Sequence, residues 1–317
     1  MRAAVIEQYG NPPVVRDMPA PVASAGATLI EVLAAPINPV DLSIANRRFY
    51  GTPPPIPYVP GREGVGRVLA GSGVTAGTRV YFEVDGVHGS MAEQSLTNSA
   101  HLAELPERVT DVVAACLGIP ALAAWLGLEW RGGLRKGERV LVLGASGALG
   151  MIAVQAAKLL GAGRVVAAAR SVEGLRRARD LGADATVPLP GDDGLTDRFK
   201  EAAGGEVDLV IDPLWGAPGL AALKSLRVGG RLVQLGQAAG PETNLASALV
   251  RGRQLTILGH TNFAVPWEVK ARAFQTMAGH AAAGRLVVEY ETLPLEEIPQ
   301  AWQRQASSPG RKLILLP

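Results

Sequence analysis

The chain has 317 residues, of which 48% are hydrophobic and 19% charged, and a formal net charge of +2. This length is comfortable for two domains. The near-neutral balance, without a basic block, argues against nucleic acid as the main partner. A single cysteine, Cys116, excludes an internal disulfide and a thiolate-rich zinc site, and no apolar run approaches the roughly 18 residues of a membrane span.

From Arg2 to about Ala115 the pattern is short strands broken by turns. Ala3–Glu7, Ala27–Ala34, Gly64–Ala70 and Arg79–Phe82 are rich in Val, Ile and Leu. Pro12-Pro13, Pro19, Pro21 and Pro53-Pro54-Pro55 exclude long helices here, which predicts an irregular β-rich domain. The opening Met-Arg-Ala-Ala-Val-Ile reads as a first strand rather than a signal peptide, so a cytoplasmic enzyme is expected.

Val112 to Leu128 is apolar and helix-like, interrupted by Pro120. The stretch Arg139 to Lys158 follows, and the rest of the chain is arranged around it. Val140 to Leu143 reads as a buried strand, Gly144, Gly147 and Gly150 as a turn, and a helix runs to about Leu160, with Gly161 as its stop. Glycines let the backbone approach a pyrophosphate closely, and the free N–H groups at a helix start attract the anion. Ala145 stands where the first glycine of the usual motif would be, so a simple tight turn is the competing reading. Further strands are expected at Arg164–Ala169, Val207–Ile211, Arg231–Leu235 and Leu255–Gly259, with helices to about Leu181 and over Leu220–Leu226. This alternation predicts an α/β unit with a parallel sheet covered on both faces, doubly wound by its helices. The tail reads as a helix from Trp267 to Ala283, a strand at Leu286–Tyr290, a short helix near Ile298–Gln305 and a final strand at Lys312–Leu316.

Asn38-Pro-Val-Asp41, Pro57-Tyr-Val-Pro-Gly61, Gly137 to Gly150, Leu181-Gly-Ala-Asp184 and Gly229-Gly-Arg-Leu-Val233 occur in this order. Together they resemble the medium-chain dehydrogenase/reductase superfamily and, within it, the zinc-independent quinone oxidoreductases (the ζ-crystallin-like branch). The resemblance implies a GroES-like catalytic domain at residues 1–118 and 261–317, a Rossmann NADP-binding domain at 119–260, and an active-site cleft between them.

Zinc members of that superfamily place ligands at the positions of Asn38, Arg62 and Ile119. None of these three suits a tetrahedral zinc site, and Cys116 reads as a buried apolar residue. No metal is expected. The cofactor follows from the end of the second strand, Ala167-Ala-Ala-Arg170-Ser171. An NAD site wants a carboxylate there, whereas a guanidinium and a hydroxyl suit the 2′-phosphate of NADPH. Relatives often carry a lysine where this chain has Gly174, and Arg176 or Arg177 is a candidate replacement.

The expected cofactor contacts are Gly144, Ser146, Gly147, Ala148, Leu149, Gly150, Arg170 and Ser171. The resemblance adds Gly236, Gln237 and His260 toward the nicotinamide, and Lys312 near a phosphate or as surface charge. Ala123 and Trp125 replace a threonine and a tyrosine of relatives. For catalysis the candidates are Asn38, Arg62 and Tyr50. Asn38 either bonds a substrate carbonyl or forms a turn before Pro39. Arg62 either polarises a carbonyl or pairs with Glu63 or Asp41. Phe49 is the alternative to Tyr50 as a substrate-cleft residue.

The resemblance implies NADPH-dependent hydride transfer to a quinone or an α,β-unsaturated carbonyl. The alternatives are a zinc-free alcohol dehydrogenase or carbonyl reductase, and a non-catalytic NADPH-binding sensor. It also implies a homodimer joined through an exposed edge strand at Gln254–Gly259.

Overall fold

The structure is a computed structural model and describes residues 1–71, 73–189 and 194–317. Two compact units divide the chain: residues 1–119 with 266–317, and residues 120–265. The fold is α/β, with a GroES-like β-rich unit and a parallel-sheet Rossmann unit.

In the first unit, β1 (Arg2–Val5) and β2 (Val14–Asp17) form an antiparallel pair. The main sheet is built from β3 (Ala27–Ile37), β4 (Glu63–Ala70), β5 (Arg79–Glu83), β6 (Gln94–Asn98), β7 (Leu102–Glu104), β14 (Tyr290–Pro294) and β15 (Lys312–Leu316). Its order is β14-β15-β3-β4-β5-β7, with β6 also paired to β3. The chain end thus returns into the sheet begun by the chain start. Alternate residues of β3 face a core that includes Ile30, Phe82, Met91 and Trp302.

Helix α1 (Pro39–Ala45) is not anticipated by the sequence analysis. Its signal is present nonetheless: Asn38 is the N-cap, Pro39 opens the helix, and Asp41 Oδ2 reaches back to the Asn38 N–H at 2.8 Å. The apolar stretch around Pro120 is two helices, α2 (Asp111–Cys116) and α3 (Ile119–Leu126), because a proline ring cannot follow the carbonyl four residues earlier in one continuous helix. A π-turn over Gly127–Arg131 follows. The strand expected at Leu286–Tyr290 lies instead at Tyr290–Pro294. Pairing with β15, Tyr290 opposite Lys312 through Pro294 opposite Leu316, sets the register, while Val287 is 52% exposed. Helix α9 (Trp267–Ala282) and α10 (Ile298–Ala306) complete the unit.

The second unit is a six-stranded parallel sheet in the order β10-β9-β8-β11-β12-β13. Its strands are β8 (Arg139–Leu143), β9 (Arg164–Ala169), β10 (Ala185–Pro188), β11 (Val207–Asp212), β12 (Leu226–Gln234) and β13 (Thr256–Gly259). Helices α4 (Ala148–Leu159), α5 (Val172–Asp180), α6 (Leu195–Ala203), α7 (Gly216–Ser225) and α8 (Ser247–Arg253) connect them. Val140, Leu141, Val142 and Leu143 are fully buried, as expected for a strand covered on both faces. The strand order reverses between β8 and β11, so a crevice opens beyond the carboxyl ends of those two strands.

Candidate functional site

In the second unit, the crevice at the reversal point is bordered by the loops that follow β8, β11 and β12. Gly144 has φ of 65°, and Gly147 N–H bonds Gly144 O at 3.1 Å, closing the turn before α4. A Cβ on Gly150 would collide with Gly144 O, so the helix start packs directly on the turn. Ala148, Leu149 and Gly150 form the first turn of α4, where N–H groups have no helical acceptor and favour an anion. Ser146 stands beside them, half-buried.

At the end of β9, Arg170 is exposed and makes no ion pair among the described residues. Ser171 caps α5, its hydroxyl oxygen accepting from Gly174 N–H at 3.0 Å. A Cβ at Gly174 would collide with Ser146 Cβ. Packing of α5 on the glycine turn therefore explains why no lysine stands there. Of the two proposed replacements, Arg176 is committed to Glu173 and Asp180 on the helix surface.

The loops after β11 and β12 are tied to each other. Leu235 N–H bonds Asp212 O at 2.8 Å, Ala238 N–H bonds Pro213 O at 3.3 Å, and Ala239 N–H bonds Leu214 O at 2.8 Å. Gly236 lies against Pro213 and Gln237 is exposed. The segment Asp212–Gly216 borders the glycine turn, with Pro213 and Leu214 against Gly144, and no expectation from the sequence covers it. Its signal was an Asp-Pro and a Gly directly after an apolar strand.

His260 follows β13. Its Nε2 lies 3.1 Å from Asn262 Oδ1 and its ring meets Trp130 edge-on at 6.1 Å. Burial lowers its pKa, which favours the neutral imidazole and makes it a poor proton donor. Trp125 is buried, with its indole N–H on Glu129 Oε2 at 2.9 Å, so it does not replace the relatives' tyrosine hydroxyl as an outward donor.

The first unit carries a cluster of buried polar side chains. Glu63 is fully buried at the start of β4. Its Oε1 accepts from Asn38 Nδ2 at 2.8 Å, and its Oε2 accepts from Tyr81 OH at 2.9 Å and from Ile119 N–H at 2.5 Å. Lys312 Nζ donates to Asn38 Oδ1 at 2.5 Å and lies 4.0 Å from Glu63 Oε1. A side chain at Gly118 would strike the Glu63 carboxylate. Tyr81 OH continues to Glu83 Oε1 at 3.3 Å, and Glu83 pairs with Lys270.

Burial pushes the Glu63 carboxyl up to about 7, against the opposing pull of Lys312 and the three donors. Burial likewise raises Asp41 to about 6 and lowers Lys312. The Cys116 thiol, nearby, is pushed up to about 12 and is inert as a nucleophile.

This geometry corrects several expectations. Both ends of the Asn38 amide are committed inside the core, and Asn38 is 0% exposed, so it positions Glu63 and Lys312 rather than presenting a donor outward. Lys312 is 3% exposed and holds Asn38, neither a phosphate ligand nor surface charge in this fold. The Glu63 carboxylate, expected as a partner of Arg62, is bound instead by Asn38, Tyr81 and Ile119. The Arg62 guanidinium pairs with Asp85, and its backbone N–H donates to Asp41 Oδ1 at 3.1 Å. Tyr50 is 75% exposed with its ring centroid 4.2 Å from that of Phe49, and Phe49 is the one that packs against the core.

Comparison with known proteins places these units. Residues 24–107 match the alcohol dehydrogenase GroES-like domain family and residues 148–278 the zinc-binding dehydrogenase family. The rat quinone oxidoreductase is 32% identical over 100% of this chain and 98% of its own. Among solved structures, a mycobacterial quinone oxidoreductase superposes with a TM-score of 0.90 at 25% identity, covering 100% of both chains. A mycobacterial protein solved in complex with NADPH superposes with a TM-score of 0.89 at 25% identity, again over 100% of both. The chain belongs to the quinone oxidoreductase branch of the medium-chain dehydrogenase/reductase superfamily.

Proposed function

We propose that this protein is an NADPH-dependent reductase that transfers hydride to a quinone or an α,β-unsaturated carbonyl without zinc. The observation that carries the cofactor choice is the end of β9, where Arg170 and Ser171 stand open and no carboxylate precedes Glu173. The glycine turn and the first turn of α4, through Gly147, Ala148, Leu149 and Gly150, suit a pyrophosphate. Gly236 and Gln237, and His260 as a neutral imidazole, are the proposed neighbours of the nicotinamide. Name and complex of the mycobacterial neighbours support the same cofactor.

The residues at the superfamily's metal positions do not fit zinc. Asn38 has spent its amide on Glu63 and Lys312, Arg62 is a cation, and Ile119 has no ligand atom in its side chain. Both oxygens of Glu63 are bonded within the core, and the Lys312 ammonium lies 4.0 Å from Oε1. Among the described residues, no group of three or more His, Cys, Asp and Glu could hold a metal ion.

Bound NADPH would supply the hydride, and a solvent proton completes reduction of a quinone to its hydroquinone. The chain's own part is positioning and electrostatics. Arg62, half-buried and steadied by Asp85, is the group proposed to stabilise the developing oxyanion. Asp41 fixes the Arg62 main chain, and Asn38 fixes the carboxylate behind it. Tyr50 has no role in this proposal. The edge strand β13, with Ile257 37% exposed, supports a homodimer, and no helix among the described residues is long and apolar enough to cross a membrane.

NADPH oxidation followed by absorbance, against quinones, enones and simple aldehydes, tests the reaction class. Turnover of quinones or enones supports it. Tight NADPH binding with no turnover across the panel contradicts it and favours the sensor role.

A further inference from the structure

Trp215 has φ of 55° and ψ of −153°, a region of backbone space used almost only by glycine. For a bulky aromatic residue this conformation is strained, and the surroundings over-determine it. Asp212 Oδ1 accepts from Leu214 N–H and from Trp215 N–H, both at 2.8 Å. Asp212 is 0% exposed, and its Oδ2 is buried without a hydrogen-bond partner among the described residues. A Cβ at Gly219 would lie 2.7 Å from that oxygen, so the first turn of α7 closes over it. Three main-chain bonds fasten the far side of the turn to residues 235–239.

The turn also has a place. It follows β11, the strand next to β8 at the point where the sheet order reverses. Pro213 and Leu214 lie against Gly144 of the glycine turn, and Pro213 lies against Gly236 on the other side. Pro213 and Leu214 therefore stand between the two loops proposed to hold the two halves of a dinucleotide, and Trp215 follows them in the same turn. One part of its indole packs with the cluster containing Phe199 and Leu223, and the residue remains half-exposed. A purely structural turn would be served without strain by glycine, and core packing alone would be served by Leu214 beside it.

We propose that Trp215 is a cofactor-contact residue, its indole forming an aromatic wall for the dinucleotide where it crosses the reversal point of the sheet. The strained Asp212–Gly216 turn is the device that holds that ring in place. This rests on the proposed NADPH role. The contact is apolar and flat, so it contributes affinity for NADPH and NADH alike, whereas Arg170 discriminates between them.

The test compares wild type, Trp215→Gly and Trp215→Phe by direct NADPH titration and by thermal melting. In wild type, bound NADPH quenches indole emission, and Trp215→Phe is expected to lower that quenching while keeping Kd within about twofold. Trp215→Gly is expected to raise Kd about tenfold, the loss of one aromatic contact, while its melting temperature reports the balance between relieved strain and lost packing against Phe199 and Leu223. A Trp215→Gly protein that binds NADPH as wild type does, whatever its melting temperature, overturns the proposal. Unchanged quenching in Trp215→Phe also overturns it. A wild-type protein that binds no NADPH overturns the functional reading itself, and this contact with it.

Discussion

The two units present their chemistry in opposite ways. The crevice of the second unit is made of main chain: glycines, a helix start, and loops zipped by backbone hydrogen bonds, with the charge of Arg170 exposed at its edge. The cluster of the first unit is made of side chains: Asn38, Glu63, Tyr81 and Lys312, all buried and bound to one another. A main-chain site tolerates change at most side chains and fails where a Cβ intrudes. A buried charged cluster fails when one partner is removed, because the other is left unpaired. Sensitivity to substitution should therefore differ in kind between the two.

The largest effect is expected in the cluster. Lys312→Met leaves Glu63 without its cation and should cost about 3–5 kcal/mol in chemical denaturation. The double variant Lys312→Met/Glu63→Gln should recover a substantial part, since the buried negative charge is then gone. Additive losses would separate the two residues and break the description of one coupled cluster.

Next comes Gly174. A lysine here restores the residue that relatives often carry, but its Cβ collides with Ser146. Gly174→Lys should destabilise by about 1–3 kcal/mol and weaken NADPH binding, measured by melting and by titration. Tighter NADPH binding in that variant would contradict the packing of α5 on the glycine turn.

The pH dependence sharpens the comparison further. Glu63 binds its proton more tightly folded (about 7) than at its ordinary value of 4.5. Its contribution to stability is thus full below pH 4.5 and is lost as pH rises through about 7. Denaturation midpoints across that window should fall less steeply in Glu63→Gln than in wild type; Asp41, raised to about 6, contributes to the slope that remains, and His260 and His280, lowered by burial, oppose it. Equal slopes in the two proteins would show that Glu63 is not the titrating group. The smallest effect is expected for Arg62→Leu: turnover should fall roughly tenfold, the loss of one charged hydrogen bond to the oxyanion, with NADPH affinity unchanged. An unchanged rate removes Arg62 from the mechanism.

The same contrast explains what the sequence makes legible. The second unit follows local rules, so Val140–Leu143, the glycine turn and the flanking strands can be read from one stretch of chain. Even there, Asp212–Gly216 escapes, because only the sheet order brings it beside Gly144. The first unit joins residues 38, 63, 81, 119 and 312, and no local pattern says that Asn38 and Lys312 touch. Resemblance names Asn38 and Lys312 but points the one to a substrate carbonyl and the other to a phosphate, since it carries no burial; the competing reading of Asn38 as a turn residue before Pro39 is nearer to its place as the N-cap of α1. The strand at Tyr290–Pro294 shows the same limit: its register comes from β15, not from the apolar run at Leu286.

The central claim is that the open end of β9 selects NADPH, and one measurement tests it directly: titration of NADPH and NADH against wild type and Arg170→Ala. Wild type should prefer NADPH, and the variant should lose roughly ten- to a hundredfold of its NADPH affinity, the worth of charge-assisted hydrogen bonds, with NADH affinity unchanged. Equal affinity of the wild type for the two cofactors, or an Arg170→Ala protein that keeps the preference, would contradict it.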